Sequence, residues 1–147
     1  MKRKMVWGYW CDYCGKFGRS GGHMKRHEAR CIKNPNRHCG MCYAAGNSQP
    51  EMSELVALAS PLGLFWTEDR DETPYYNSAE AKECAKCLLP ELMEAADNCP
   101  ACVLAALAQN KVPAKDIGFD FEKEKTAFWS AVNENEMRRE YYALSLG

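Results

Sequence analysis

Cysteine placement constrains this chain more than any other feature of its sequence. Eight of the nine cysteines form four Cys-x-x-Cys pairs, which are Cys11/Cys14, Cys39/Cys42, Cys84/Cys87 and Cys99/Cys102. The ninth, Cys31, stands apart. No apolar stretch of signal-peptide length follows the charged start of the chain, so we expect a cytoplasmic protein in a reducing compartment. In that setting, repeated Cys-x-x-Cys pairs predict metal binding or redox chemistry.

The first pair belongs to a spacing that is typical of a four-ligand zinc site. Cys11 and Cys14 are followed, after twelve residues, by His27 and then by Cys31. A Cys-x-x-Cys turn supplies two thiolates from one tight loop, and residues i and i+4 share a face of a helix. We therefore predict a first zinc site of Cys11, Cys14, His27 and Cys31. His23 and His27 are also four residues apart, which leaves His23 as an alternative to Cys31.

Two apolar residues are predicted to pack behind this site. Met24 lies three residues before His27, where a leucine is usual, and Phe17 lies one residue closer to Cys14 than usual. Residues 7–33 are too few to fold by apolar burial alone, so bound metal must stabilise them.

This stretch resembles the C2H2-type zinc fingers, in the C2HC form in which a cysteine takes the place of the last histidine. The resemblance covers about residues 7–33 and implies two short strands followed by a helix. The segment Ser20–His27 is similar to the helix start of plant fingers. The whole chain is similar to small zinc-finger proteins of tailed bacteriophages, which share the elements Asn34–Arg37, Cys39/Cys42 and Cys99–Cys102. That similarity implies a phage origin and a zinc count of two, and no established activity.

The three remaining pairs offer more ligands than one further zinc ion needs. Cys39/Cys42 lies in a Gly-containing loop that suits a zinc knuckle, and Cys99/Cys102 begins a predicted helix, where free N–H groups favour thiolates. A knuckle joined to a helix start is typical of a treble-clef-like site, so we predict a second zinc site of Cys39, Cys42, Cys99 and Cys102. Cys84/Cys87 falls inside a predicted helix as small buried residues. It remains an alternative to either pair.

Hydrophobic periodicity predicts a mainly helical body after the finger. Ser48 and Glu51 form a capping box before a helix that ends ahead of Pro61. A short strand is predicted at Leu62–Thr67 and an acidic loop at residues 68–77. Further helices are predicted from Ser78 to about Leu89, from Pro90 to about Asn98, from Pro100 to about Asn110, from Asp120 onward, and at about Glu136–Leu144.

The predicted fold class is therefore α+β and mainly helical. Residues 1–33 are expected to form a ββα C2HC zinc finger. Residues 34–147 are expected to form a helical domain held by the second, treble-clef-like zinc site.

The net charge of −1 hides a strong asymmetry along the chain. Residues 1–37 contain ten basic and two acidic residues, a net charge of +8. Residues 38–147 contain nine basic and eighteen acidic residues, a net charge of −9. This split predicts an amino-terminal segment that faces a polyanion. The simpler alternative is a basic surface that is only solvated.

The resemblance to C2H2-type fingers implies which side chains contact nucleic acid. In such a finger the helix enters the major groove of duplex DNA, and its positions −1, 3 and 6 reach base edges. Counting back from His27 places Ser20, His23 and Arg26 there, and arginine can bond guanine O6 and N7. Phosphate contacts are predicted for Lys16, Arg19, Lys25, Arg30 and Lys33.

The rival hypothesis is a phage structural, adaptor or host-protein interaction module without a nucleic-acid role. Its candidate anchors are aromatic residues of the acidic body, which we predict to be core rather than interface: Phe128, Trp129, Tyr141 and Tyr142. A membrane partner is not expected, because no apolar run approaches the roughly 20 residues of a membrane helix.

We expect no enzymatic activity and no small-molecule substrate. The chain has three histidines, and two fall in the finger, so a general base is hard to place. No Gly-rich phosphate loop or nucleophile elbow is present. Cys99 and Cys102 at a helix start would also suit a redox site, but the strand that should precede it is not predicted.

Overall fold

The protein is mostly helical, with one small sheet. The computed structural model describes residues 1–65 and 79–146. Within these residues the chain forms two strands, six α-helices and a short 3₁₀ turn at Ala114–Ile117. In chain order the elements are β1 (Tyr9–Trp10), β2 (Phe17–Gly18), α1 (Gly21–Arg30), α2 (Gly40–Ala44), α3 (Met52–Gly63), α4 (Ala79–Ala95), α5 (Pro100–Gln109) and α6 (Phe121–Ser145).

The amino-terminal elements are an antiparallel hairpin and the helix that follows it. Strands β1 and β2 pair with Tyr9 opposite Gly18 and Trp10 opposite Phe17. The Ser20 side chain caps α1 by accepting a hydrogen bond from the backbone N–H of His23 at 3.3 Å. This cap satisfies one of the free N–H groups at the helix start, and it fixes where α1 begins.

The core of this amino-terminal part is very small. Its buried residues are Cys11, Met24 and Cys31, so the predicted packing of Met24 is confirmed. The prediction for Phe17 is wrong, because its side chain is 49% exposed and lies against Trp10 on the outside of the hairpin. Side chains alternate between the two faces of a strand, so a shift of one residue along β2 moves the ring away from the core.

A larger core lies among α3, α4 and α5. Its largest fully buried side chains include Leu55 and Leu62 of α3, Leu92 of α4, and Val103 and Leu107 of α5. Helix α5 is rich in alanine and begins with Pro100 in its first turn, so it forms readily and lets neighbouring helices approach closely.

Helix α6 joins this core only through its first half. Phe128 is buried and Trp129 is partly buried, as expected of core aromatics. Tyr141 and Tyr142 are exposed, so their predicted place in the core is wrong. They fall on the last turns of a helix of 25 residues, and Phe128 is the buried residue of α6.

Helix α3 does not stop before Pro61, as predicted, but continues to Gly63. Proline has no N–H to donate to the carbonyl four residues earlier. The hydroxyl of Ser60 donates instead to the carbonyl of Ala57 at 2.7 Å, and the fully buried Leu62 anchors the last turn. The strand predicted from Leu62 is therefore wrong at all four of its described residues, because Leu62 and Gly63 belong to α3 and residues 64–65 form a turn.

Three other boundaries differ from the sequence expectation. Helix α4 runs through Pro90 as one helix, because Ala85 before the proline and Leu92 after it are both buried in the same core. Helix α6 is likewise one helix rather than two. The capping residue of α3 is Glu51, without a side-chain hydrogen bond, so the predicted Ser48 capping box is wrong. Residues 66–67 of the predicted strand, the acidic loop at 68–77 and the Ser78 cap lie outside the described residues.

Buried polar side chains connect the end of α1 to the helical body. Asn34 donates to the carbonyl of Glu28 at 2.8 Å, and Arg37 reaches the carbonyls of Arg30 at 3.4 Å and Ala101 at 3.5 Å. Gln109 of α5 donates to the carbonyls of Ile32 and Asn34 at 3.0 and 3.2 Å. Asn34 and Arg37 are each 6% exposed, so this connection is packed as well as hydrogen-bonded.

No helix in residues 1–65 or 79–146 combines the length and the apolar character that spanning a bilayer requires.

The central position of α5 yields a stability prediction. Leu107→Ala should lower the free energy of unfolding by about 2–5 kcal/mol, because it leaves a cavity where a fully buried side chain packs. Leu144→Ala is the matched control, since Leu144 is 82% exposed and should change stability by less than about 0.5 kcal/mol. Urea unfolding of the zinc-saturated proteins measures both, and equal midpoints would contradict the packing described.

Candidate metal centres

Four side chains from the hairpin and α1 converge on one point. The ligand atoms of Cys11, Cys14, His27 and Cys31 all lie within 4.8 Å of one another. Cys11 follows β1 and Cys14 lies in the turn beyond it, whereas His27 lies on α1 and Cys31 caps its end. The Cys14 sulfur is 3.2 Å from His27 Nε2. These are the four residues that the sequence spacing predicts as ligands, and His23 is exposed and outside the cluster.

The thiols of this cluster differ in their readiness to ionise. The hydrogen bond with His27 lowers the pKa of Cys14 to about 6, whereas burial raises the pKa of Cys31 to about 11. One thiolate is therefore stable near neutral pH, but a second in contact with it requires a compensating positive charge. A divalent cation at the centre supplies that charge, and zinc takes this mixture of sulfur and imidazole ligands.

A second cluster lies in the body, where all four ligands are buried cysteines. The sulfurs of Cys39, Cys42, Cys99 and Cys102 lie within 4.8 Å of one another. The Cys39 and Cys99 sulfurs are 3.6 Å apart, and so are those of Cys42 and Cys102. The two pairs are the ones that the sequence interpretation joins.

Two helix starts supply the second cluster. Cys39 is the N-cap residue of α2, and Cys99 is the N-cap residue of α5. Each pair therefore occupies the first turn of a helix, where the helix dipole and free N–H groups stabilise negative sulfur. The loop knuckle predicted for Cys39/Cys42 is wrong in this respect, because Gly40–Ala44 continues from Cys39 as a short helix.

The dimensions of the second cluster fit tetrahedral zinc. Zinc–sulfur bonds of about 2.3 Å place two ligand sulfurs about 3.8 Å apart, close to the 3.6 Å separations found here. A disulfide requires a sulfur separation of about 2.0 Å, and all nine cysteines are free. The cluster is therefore a metal site and not a pair of disulfides.

Ionisation of the buried thiols also favours a bound cation. Hydrogen bonds from Cys102 and Cys99 lower the pKa of Cys39, whereas burial raises the pKa of Cys42. The hydrogen bond to Cys39 and the one to Cys99 raise the pKa of Cys102. Four adjacent thiolates in this environment repel one another unless a divalent cation lies between them. The two clusters, one with three cysteines and a histidine and one with four cysteines, indicate two zinc sites per chain.

Cys84 and Cys87 lie apart from both clusters. Cys87 is exposed on α4 and Cys84 is only partly buried, so the prediction that both are small buried residues is wrong. Burial raises the pKa of the Cys84 thiol. Neither belongs to a group of potential metal ligands among the described residues. The hypothesis that this pair replaces Cys39/Cys42 or Cys99/Cys102 in the second site is therefore wrong.

A glutamine that the sequence analysis missed positions the second cluster. Gln49 accepts a hydrogen bond from the Cys39 backbone N–H at 2.6 Å and donates to the Arg37 carbonyl at 2.8 Å. It holds the start of α2 against the connection to α1. No pattern in the sequence marks Gln49 or Gln109, whereas the Asn34–Arg37 element belongs to the phage resemblance.

The residues predicted to contact nucleic acid all lie on the surface. Their side chains are exposed in the turn, at the cap and along α1: Lys16, Arg19, Ser20, His23, Lys25, Arg26, Arg30 and Lys33. Glu28, the acidic residue of α1, points toward the hairpin side of the helix. Its carboxylate accepts a hydrogen bond from the Asp12 backbone N–H at 3.0 Å. The exposed side of α1 is therefore basic.

Comparison with protein-family models, with curated proteins and with solved structures gives no match to this chain. The metal centres therefore rest on the geometry of their ligands. The resemblances to C2H2-type fingers and to phage proteins stay predictions.

The two clusters yield a prediction about metal content. Native mass spectrometry should find two zinc ions on the intact chain and two on Cys84→Ser, because Cys84 belongs to neither cluster. Cys99→Ser should retain one ion, since it removes a buried ligand from the second cluster. Loss of an ion from Cys84→Ser, or its retention by Cys99→Ser, would contradict the assignment.

The ligands of the first cluster are less buried than those of the second, which yields a prediction about metal removal. A chelator should strip the amino-terminal ion first, because Cys14 and His27 are partly exposed while all four cysteines of the second cluster are buried. Residues 7–33 should then unfold, since Met24 is the buried core residue of that part besides the cysteines. Chelator titration followed by amide NMR spectra measures this order. Simultaneous loss of signals from residues 7–33 and from α5 would contradict it.

Proposed function

We propose that this chain is a structural-zinc protein that binds nucleic acid through a basic amino-terminal C2HC finger. In this proposal zinc has no catalytic part and serves to hold the fold. The proposal places the protein in the cytoplasm, which for a phage-encoded chain is that of the host, because a reducing compartment keeps its thiols available for zinc.

The order of elements supports a finger of the ββα type. A two-stranded hairpin precedes α1, the turn after β1 carries two ligands, and α1 with its C-cap carries the other two. Metal at that point fastens the hairpin to the helix, as in the fingers that present a helix to the DNA major groove.

The observation that carries the proposal is the open, basic side of α1. Ser20, His23 and Arg26 are exposed, and they occupy the positions that read base edges in such fingers. The body attaches instead to the end of α1 and the loop after it, through Arg37 and Gln109. Duplex DNA can therefore approach the beginning of α1, whereas a body packed over these residues would exclude it.

Charge supports the same direction of approach. Lys25 and Arg30 on α1, with Lys16 and Arg19 beside it, offer cations to phosphates on either side of a groove. Residues 38–147 carry a net charge of −9, so they repel DNA and favour approach through the amino-terminal part. One finger reads about three base pairs, so this interface gives affinity with modest sequence preference.

A second candidate function is protein interaction, and the end of α6 favours it. Met137, Tyr141, Tyr142 and Leu144 are exposed on the part of that helix beyond the body's core. A helix with unpartnered aromatic and apolar side chains suits a phage adaptor or a module that binds a host protein. The finger would then serve as a rigid support.

The proposal predicts the effect of single substitutions on duplex binding. Arg26→Ala should weaken binding to a preferred duplex by about 1–3 kcal/mol, because it removes a side chain placed to contact a base edge. Lys25→Ala should weaken binding to every duplex alike and lower the salt slope by about one. Fluorescence anisotropy with labelled duplexes across a salt series measures both effects.

Lys86→Ala is the matched control for these substitutions. Lys86 is exposed on α4, away from the finger, so its loss should leave the affinity unchanged. Absence of binding at low salt by the zinc-loaded chain would dispose of the nucleic-acid proposal and favour the interaction module.

A further inference from the structure

The outer face of the hairpin carries exposed aromatic rings. Trp10 is 62% exposed and Phe17 is 49% exposed, and their ring centroids lie 4.9 Å apart with the planes tilted by 56°. Trp7, just before β1, is 89% exposed. Large aromatic side chains are usually buried at least in part, so this group is an exposed surface in need of an explanation.

Strand register explains why these rings face outward. Trp10 and Phe17 are directly opposite each other, so their side chains share a face. The other face, with Tyr9 and Gly18, lies against α1: a Cβ on Gly21 would come within 3.2 Å of the Tyr9 ring, and one on Gly18 within 3.0 Å of Met24. Helix α1 packs on the other face of the hairpin, so it cannot cover the rings of Trp10 and Phe17.

The Phe17 ring lies against the backbone of Gly8. A Cβ at residue 8 would lie 2.2 Å from the edge of that ring, so the ring sits directly over the glycine. On its other side the ring contacts Trp10. We refer to the paired rings of Trp10 and Phe17 as the platform.

Exposed basic residues lie next to this platform along the chain. Lys16 and Arg19 flank β2, and Lys2, Arg3 and Lys4 precede Trp7. Residues 1–19 contain a single acidic residue, Asp12. Positive charge beside flat aromatic rings matches a partner that is both anionic and aromatic.

We propose that the outer hairpin face, formed by Trp10 and Phe17, stacks on unpaired bases of a single-stranded nucleic acid. This inference rests on the proposed nucleic-acid function. It adds a second ligand, the single strand, and a second binding surface. Aromatic rings bind single strands by stacking on bases, while neighbouring cations track the phosphates. Bases inside a duplex already stack on one another, so the platform distinguishes single strands from duplex.

The two surfaces lie on opposite sides of the finger. Ser20, His23 and Arg26 belong to α1, which covers the inner face of the hairpin, whereas Trp10 and Phe17 point away from α1. Substitutions on the two surfaces should therefore act on different ligands. That separation lets failure of the platform be told apart from failure of the helix interface.

The test measures binding of zinc-loaded protein to a labelled deoxythymidine strand of about 12 nucleotides, a ribouridine strand of equal length, and a duplex. Trp10→Leu should weaken binding to the single strands about tenfold, and Phe17→Leu should act likewise, with less than a twofold effect on the duplex. Trp10→Phe keeps a ring and should retain most of the affinity. Arg26→Ala should show the reverse selectivity.

Two controls separate stacking from loss of fold. Tyr141→Leu removes an exposed aromatic ring from α6 and should leave single-strand binding unchanged. Every variant should still carry two zinc ions by native mass spectrometry. Single-strand binding should also quench tryptophan fluorescence in the intact chain, and Trp10→Phe should remove part of that quenching.

Several outcomes would overturn the inference. If Trp10→Leu with two zinc ions binds single strands as well as the intact chain, the platform does not stack on bases, and the duplex proposal stands unaffected. If the intact chain binds neither single strand nor duplex at low salt, both proposals fall. If Trp10→Leu loses only its binding to vesicles containing anionic lipid, the rings serve a membrane surface instead.

Discussion

Thiolate clustering is the constraint on which the structure depends. Eight ligands, seven of them cysteines, are held within 4.8 Å of their neighbours in two groups. Within each group a hydrogen bond lowers the pKa of one thiol, Cys14 or Cys39, whereas burial raises the pKa of another, Cys31 or Cys42. Ionising all the thiols of a group therefore requires a cation between them. In the amino-terminal part the metal supplies nearly all the cohesion, whereas in the body it adds to a core of leucine and alanine.

The different sources of stability in the two parts agree with the side chains that each part exposes. A small part of the chain that metal holds together needs few buried apolar residues, so its hairpin and helix can carry basic and aromatic side chains on the outside. In the body, the buried apolar residues lie mainly on α3, α4 and α5, and the sequence of residues 38–147 carries a net charge of −9. Under the proposed function, the opposite charge of the two parts would orient a polyanion toward the amino-terminal part.

Local spacing made the first cluster readable from sequence, because a Cys-x-x-Cys turn and an i, i+4 pair fix their own geometry. The second cluster joins cysteines 60 residues apart and was readable only through the chemistry of helix starts. Tertiary burial overrode local rules elsewhere: Leu92 carries α4 through Pro90, and Leu62 carries α3 past Pro61. Whether Phe17 faces the core or the solvent depends on a one-residue shift along β2, which the sequence does not specify. The hydrogen bonds of Gln49 and Gln109 correspond to no sequence pattern.

The buried connection between the two clusters fixes the amino-terminal part against the helical body. Only seven residues separate Cys31 from Cys39, and within them Asn34 and Arg37 are packed and hydrogen-bonded to both sides. A packed connection of this kind keeps α1 from turning independently of the helical body. Under the proposed nucleic-acid function, neighbouring copies on a long target would therefore be spaced by the footprint of the whole molecule rather than by that of residues 7–33.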